Sequence, residues 1–266
     1  RVAVPDNPQR VVALAASITE IIFALGQGPR LKGVTQFSNY PAVAKSLPKV
    51  GSYIHLDLER IMSLRPDLCI AIKDGNPKYA VDRLTDLGIP VYTVDPRNLQ
   101  GVMNSILEIG DLLGASTPAQ ELVADMQHRL DRVQSLVAQS PHRPRVFLQI
   151  GIAPIVSAGS NTFLDELIAR AGGQNLAAGP LAYPRFTREQ VLALRPEVII
   201  ITSMTRGGAF EQIKADWSQW DHLPASQQQR IFVVDSDIFD RPSPRMVEAL
   251  EILFGLIHPE LGSQLP

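Results

Sequence analysis

LERIMSLRPDLCIA, residues 58–71, returns in worn form as REQVLALRPEVIII at residues 188–201. Laid over each other, Glu59 meets Glu189, Leu64 meets Leu194, Arg65 meets Arg195, Pro66 meets Pro196 and Asp67 meets Glu197, with apolar residues opposite apolar residues almost throughout. Each copy reads as a helix, then Leu-Arg-Pro, then an acidic residue, then a strand. A junction of this kind is common in α/β chains when it stands alone. Written once on each side of a long helical stretch, it predicts two similarly built lobes.

Outward from the first copy, short Val/Ile/Leu-rich runs alternate with helical periodicity, the pattern of an α/β chain with mostly parallel strands. RVVALA reads as a buried strand, followed by SITEIIFALG with Ser17 as N-cap, Glu20 closing a capping box and Gly26 ending the helix. KGVTQ, DLCIAI and PVYTVD are the next strands. After Asp95 the pattern turns helical, and STPAQELVADMQHRLDRVQSLVAQS carries one apolar stripe through Leu122, Val123, Met126, Leu130, Val133, Leu136 and Val137. The second half begins again with RVFLQIG, NTFLDELIARAGG, TREQVLALRP, EVIIIT and RIFVVDS, and closes on the helix SPRMVEALEILFGLIH. The expected layout is an α/β lobe over 1–117, a bridging helix over 118–140 and a second α/β lobe over 141–266, with a ligand cleft between the lobes. A single stiff connector resists wide hinge bending, so modest lobe motion is expected.

Composition narrows the function classes. The 266 residues are 45% hydrophobic and 20% charged, with a formal net charge of −2. Nucleic-acid binding is not expected, because a phosphate-reading surface normally shows as a basic excess. No apolar run approaches the ~18–20 residues of a membrane span. Cys69 is the lone cysteine and lies inside DLCIAI, where it reads as a small buried hydrophobe. The chain opens on RVAVPDNPQRVVAL without a signal-peptide pattern, as a processed or trimmed terminus would.

Catalytic motifs are missing from the sequence: it has no phosphate loop, dinucleotide fingerprint or G-x-S-x-G elbow. His55, His128, His142, His222 and His258 are scattered, none paired at the spacing zinc hydrolases use, and His128, His142 and His258 read as solvated. Trp217 and Trp220 read as core residues rather than a ligand stack. No catalytic residue, metal ligand or cofactor is expected. What remains is a set of loops placed after strands, where α/β lobes bind ligands. QFSNYP presents Tyr40 and GSYIHLD presents Tyr53. AYPRFTREQ presents Tyr183 and Phe186, and DSDIFDRPSPR presents Asp237, Phe239 and Arg241. Any one ring there can staple its own loop; four such loops, two from each lobe, predict an aromatic-lined cleft.

At these residues the chain resembles the ABC-importer substrate-binding proteins whose lobes are joined by one long helix, which bring vitamin B12 and other corrinoids, ferric siderophores or haem to a membrane permease. The resemblance spans essentially the whole chain. It rests on the order and spacing of VPDNPQRVVAL, ITEIIFALG, GVTQFSNYP, LPKVGSY, LERIMSLRPDL, LGIPVYTVD, AGGQN and FDRPSPR. The chain is most similar to the cobalamin-binding branch, through Tyr-Pro after the second strand, an aromatic six residues before the helix glutamate, and F-[DE]-R-x-S-P-R near the end. Tyr53, Tyr183 and Ile72 stand where well-known cobalamin binders carry tryptophan.

The resemblance implies a transported corrinoid as ligand, contacted by Tyr40, Tyr53, Tyr183, Asp237 and Arg241, with Ser17 facing the same cleft. Rings would cover the macrocycle faces, each contributing ~0.5–1.5 kcal/mol beyond burial, while Asp237 and Arg241 bond the amide rim. It implies that Glu59 and Glu189, one per lobe, dock onto arginines of an ABC permease dimer in the inner membrane. Each glutamate also favours its own helix amino terminus by ~0.3–1 kcal/mol. The protein is expected to be monomeric, in the periplasm or at the extracytoplasmic membrane surface, free or lipid-anchored. A haem or ferric siderophore carrier of the same fold is the alternative, with Tyr53 as an iron ligand. A metal-dependent enzyme on the two-lobed scaffold would need several converging ligands, of which the loops supply Asp237 and His55.

Overall fold

The computed structural model describes residues 4–73, 75–202 and 209–265. The chain divides into two compact units: the first runs to Met126 and takes in Pro242–Pro244, and the second comprises Gln127–Arg241 and the residues from Arg245 onward. In the first unit β1 (Val11–Ala13), α1 (Ala16–Ala24), β2 (Leu31–Val34), α2 (Leu58–Ser63), β3 (Leu68–Ile72), α3 (Lys78–Asp86), β4 (Val91–Val94) and α4 (Leu99–Leu112) lead into α5 (Ser116–Val137). The strands pair in the order β2-β1-β3-β4, all parallel. Val11–Leu14 and Leu68–Ala71 are wholly buried, as befits parallel strands with helices on both faces, which read as continuous apolar runs. Cys69 is one of them; burial, aided by the charge of Asp67, pushes its thiol up to about 12.

The second unit holds β5 (Arg145–Gly151), β6 (Ile155–Ser157), α6 (Phe163–Arg170), β7 (Gln174–Asn175), β8 (Arg185–Phe186), α7 (Arg188–Leu194), β9 (Val198–Ile201), α8 (Ala209–Ser218), α9 (Pro224–Gln227), β10 (Ile231–Val233), α10 (Ser236–Phe239), α11 (Met246–Ile257) and α12 (Pro259–Gly262). Its sheet runs β10-β9-β5-β6-β8, with β7 beside β5. Here the pairing is mixed: β5 with β9, β9 with β10 and β5 with β7 are parallel, whereas β6 pairs antiparallel with both β5 and β8.

The repeated stretch has a structural cause. Asp57 caps α2 by accepting from the Arg60 N–H, and Thr187 with Gln190 forms a capping box on α7. Both helices end in a left-handed arginine, Arg65 or Arg195, and proline then hands the chain to β3 or β9. An arginine at the head of the neighbouring strand clasps each junction, Arg10 just before β1 and Arg145 as the first residue of β5. Arg10 donates to the carbonyls of Arg65 and Leu64 at 2.9 and 2.5 Å, and Arg145 donates to the Leu194 carbonyl at 2.6 Å. In return the Asp67 carboxylate accepts the N–H groups of Gln9 and Arg10 at 2.7 and 2.9 Å, and Glu197 accepts that of Arg145 at 2.8 Å. The same positions also fill the cores, Ile61 and Cys69 in one unit and Val191 and Ile199 in the other.

The long helix runs Ser116–Val137, about 33 Å at ~1.5 Å per residue, starting earlier and ending three residues short of Ser140. Met126, Leu130, Val133, Leu136 and Val137 of the expected stripe are buried, whereas Leu122 and Val123 are half-buried. At its start α4 and α5 pack closely, since a Cβ added at Gly110 would lie 2.4 Å from that of Ala119. Farther along, Arg129 grips Glu251 of α11 through two hydrogen bonds of 2.9 and 2.5 Å.

Four readings need correction. Ser17 does not cap α1: the N-cap is Ala15, without a side-chain bond, and Ser17 lies inside the first turn, 5% exposed. Glu20 closes no capping box; it is buried and accepts from the Ser243 hydroxyl at 2.8 Å. His258, expected in solvent, is 1% exposed, with its ring nitrogens 3.3 Å from Glu260 and 3.4 Å from the Gly172 carbonyl. The two tryptophans part company: Trp217 is buried and donates to Gln149 at 2.8 Å, while Trp220 is exposed.

Candidate functional site

In the first unit the parallel strands send their connections out at one sheet edge, and three expected residues ride on them. The loop after β2 is tied down by hydroxyls, Thr19 to Ser38 at 3.0 Å and Thr35 to Ser38 at 3.1 Å. Lys49 donates to the carbonyls of Ser38 and Ala44 at 3.1 and 2.9 Å, and burial lowers its pKa. On that fixed loop Tyr40 is 48% exposed, beside exposed Phe37 and Val43. Tyr53 is half-buried in the next connection. Val50 and its neighbours run parallel to the end of β2, so this connection leaves from the same edge. Ser17 sits beneath, buried at the start of α1.

The residue that organises this edge is Asn76, which sequence reading missed. Its amide NH2 donates to the carbonyls of Leu14 and Tyr53, both at 2.8 Å, and its Oδ1 accepts from the Ile72 N–H at 2.8 Å. One buried side chain therefore joins the ends of β1 and β3 to the Tyr53 loop. The signal for it was the Asn-Pro dipeptide just after a predicted strand.

In the second unit the arrangement differs from expectation at three residues. Tyr183 is 56% exposed, but it lies on the extended lead-in to β8 rather than after a strand. The Ala182 carbonyl accepts from the Gly159 N–H at 2.8 Å, and the Pro184 carbonyl from the Ser157 N–H at 3.0 Å. Phe186 is a β8 residue whose ring meets Phe147 edge-on, 5.3 Å between centroids at 89°, so part of it belongs to the core. Phe239 is 1% exposed; it anchors the turn after β10 and offers no face to a ligand within this unit. Asp237 and Arg241 on that turn form an ion pair, and Arg245 donates to the Asp237 carbonyl at 2.9 Å.

Glu59 and Glu189 occupy the same station, second residue of α2 and of α7, and both are exposed. At Glu189 its own backbone N–H and the Thr187 hydroxyl hold the carboxyl below the ordinary range. Among the described residues no three His, Cys, Asp or Glu side chains converge as a metal set, and no helix is long and apolar enough to cross a membrane.

The periplasmic binding protein family profile matches residues 11–238. A vitamin B12-binding protein of Pectobacterium carotovorum is 31% identical over 246 residues, covering 92% of this chain and 86% of the relative. Among solved structures, the periplasmic vitamin B12 binding protein of Vibrio cholerae superposes with a TM-score of 0.83 at 28% identity, covering 98% of this chain and 100% of that one. A periplasmic heme binding protein of Pseudomonas aeruginosa superposes with a TM-score of 0.86 at 29% identity, covering 95% and 93%.

Proposed function

The chain belongs to the periplasmic binding protein family, and we propose that it captures a corrinoid of the vitamin B12 type outside the cytoplasm and delivers it to an ABC permease dimer. The observation that carries this reading is the similarity to a vitamin B12-binding relative over 92% of the chain. The exposed rings of Tyr40 and Tyr183 and the half-buried rings of Tyr53 and Phe186 give apolar area to cover a flat macrocycle, worth ~25 cal/mol per Å² before the cost of association. Ser17, Asp237 and Arg241 supply polar contacts to the amide rim. Phe239, 1% exposed, drops out of the contact set because its ring anchors the turn after β10. Glu59 and Glu189, exposed at equivalent helix starts, are the docking charges, one for each half of a two-fold partner.

Calorimetric titration of the ligand-free protein with cyanocobalamin, haemin and a ferric hydroxamate tests the ligand. One-to-one binding of cyanocobalamin alone supports the reading; binding of an iron complex with no response to cyanocobalamin sinks it. A haem carrier is the second reading, favoured by the Pseudomonas aeruginosa superposition, and it makes Tyr53 the iron ligand. Docking is tested separately with Glu59→Ala and Glu189→Ala in a reconstituted importer. Transport should fall while ligand affinity holds; unchanged transport in both refutes docking.

A further inference from the structure

Asp240 and Thr202 meet beside the Asp237–Arg241 pair, and nothing in the ligand contacts proposed above uses them. Thr202 follows β9 directly and is fully buried. Its hydroxyl donates to the Asp240 carboxylate, 3.0 and 2.9 Å from the two oxygens. Asp240 is also the C-cap of α10, its N–H bonded to the Ser236 carbonyl at 2.9 Å. At the other end of the turn Asp235 accepts from the Asp237 N–H at 2.8 Å. A helix of four residues is not stable by itself. Here a side-chain bond fixes each end and the buried ring of Phe239 anchors the last residue of α10 in the core, so the directions of Asp237 and Arg241 are set from outside the pair.

The environment of Asp240 is also unusual electrically. Burial pushes its carboxyl up to about 7; the Thr202 hydrogen bond and the charge of Arg241 oppose the rise, while Asp237 and Asp235 add to it. Among the described residues, the end of β9 brings the Thr202 that follows it, and no charge, to this carboxyl. From α11, which packs on α10, the cap residue Arg245 donates to the Asp237 carbonyl. An ionised Asp240 thus adds a second carboxylate beside a guanidinium already paired with Asp237. A neutral ligand that covers the turn must then strip water from that extra charge.

We propose that Thr202 and Asp240 are positioning residues that hold the Asp237–Arg241 pair and, through the charge on Asp240, grade its affinity for ligand, an inference that rests on the corrinoid reading above. Capture is tighter when Asp240 is protonated.

The experiment titrates cyanocobalamin into the wild-type, Asp240→Asn and Thr202→Val proteins at pH 6, 7 and 8. In parallel, the Arg241 Nε–H resonance is followed by 15N NMR without ligand. Wild-type affinity should fall roughly three- to tenfold from pH 6 to pH 8, a tenfold change meaning that the bound ligand moves the Asp240 titration by about one pH unit. The Asn variant, a mimic of the protonated acid, should bind tightly with a flat profile. Thr202→Val, which removes a bond that favours the charge, should move the fall to higher pH. Parallel pH profiles for wild type and Asp240→Asn would overturn the proposal, since a merely structural role lowers affinity alike at every pH. Without ligand, the Arg241 resonance should titrate near neutrality in wild type and not in Asp240→Asn; a resonance that does not titrate also overturns it. If cyanocobalamin binds at no pH while that resonance titrates as stated, the corrinoid reading has failed and the positioning pair is upheld.

Discussion

Arg65 and Arg195 hold the same left-handed backbone, with φ of 48° and 47°. Each stands between a short helix and a proline, and each junction is clasped by an arginine at the head of the adjacent strand, Arg10 just before β1 or Arg145 opening β5. Neither arginine needs its side chain to make the turn, because the groups clasped are backbone carbonyls. What the turn requires is a residue that tolerates positive φ, and a β-branched side chain does so worst.

Arg65→Val and Arg195→Val should therefore each lower stability by about 1–2 kcal/mol, while Arg65→Gly and Arg195→Gly stay within about 1 kcal/mol of wild type. Urea unfolding of the four variants checks this. Equal losses for Val and Gly would assign the effect to the lost guanidinium instead.

Gly110 fits against Ala119 so closely that a methyl group has no room. Gly110→Ala gains helix propensity, about 1 kcal/mol, but overpacking costs about 1–3 kcal/mol, and the net should be a loss. Adding Ala119→Gly should restore part of it. Two losses that simply sum would show that the clash is not the cause.

Asn76→Asp keeps the shape of the side chain and removes both donors, turning acceptors toward the Leu14 and Tyr53 carbonyls. Leaving them unpaired should cost about 2–3 kcal/mol and weaken ligand capture by loosening the Tyr53 loop. Thermal unfolding and calorimetric titration read the two effects. A variant with wild-type stability would remove Asn76 from its organising role.

Asp240 has a consequence for stability independent of any ligand. Its folded pKa is raised from the ordinary 3.8 to about 7. The stabilisation linked to the proton is therefore complete below the unfolded value, is lost as pH climbs between the two, and is absent above the folded value. The full swing is at most about 4 kcal/mol. Asp240→Asn should accordingly gain on wild type at pH 8 and have no such advantage at pH 4. Melting curves across that range test it, and a difference independent of pH would contradict the raised pKa.

Much of the architecture was legible because it rests on local patterns. The repeated junction, the buried strand runs and the helix stripe from Met126 to Val137 depend on periodicity and on proline, and these survive in one dimension. The antiparallel β6–β8 pairing was not legible, since two- and three-residue strands leave no periodic trace. Ser17 misled because Ser-x-x-Glu suits a capping box equally well wherever the helix begins; here it begins one residue before the serine. Phe239 misled because a loop position says nothing about which way a ring turns. The roles of Thr202 and Asp240 were invisible for a related reason, and the Asn-Pro dipeptide marked Asn76 without naming its partners, because these are tertiary neighbours such as Leu14, 62 residues from Asn76.

Ser243 gives the protein a property that its chain order hides. It sits in Pro242–Pro244, a tripeptide that belongs with the first compact unit although its flanks belong to the second, and its hydroxyl reaches Glu20, 223 residues away. The two halves are thus not interchangeable cassettes. A chimera that takes one half from a homologue with a single crossover inside α5 would bring Ser243 from one parent and Glu20 from the other. Recombination that respects the fold has to move three short residues as a graft together with the amino-terminal half.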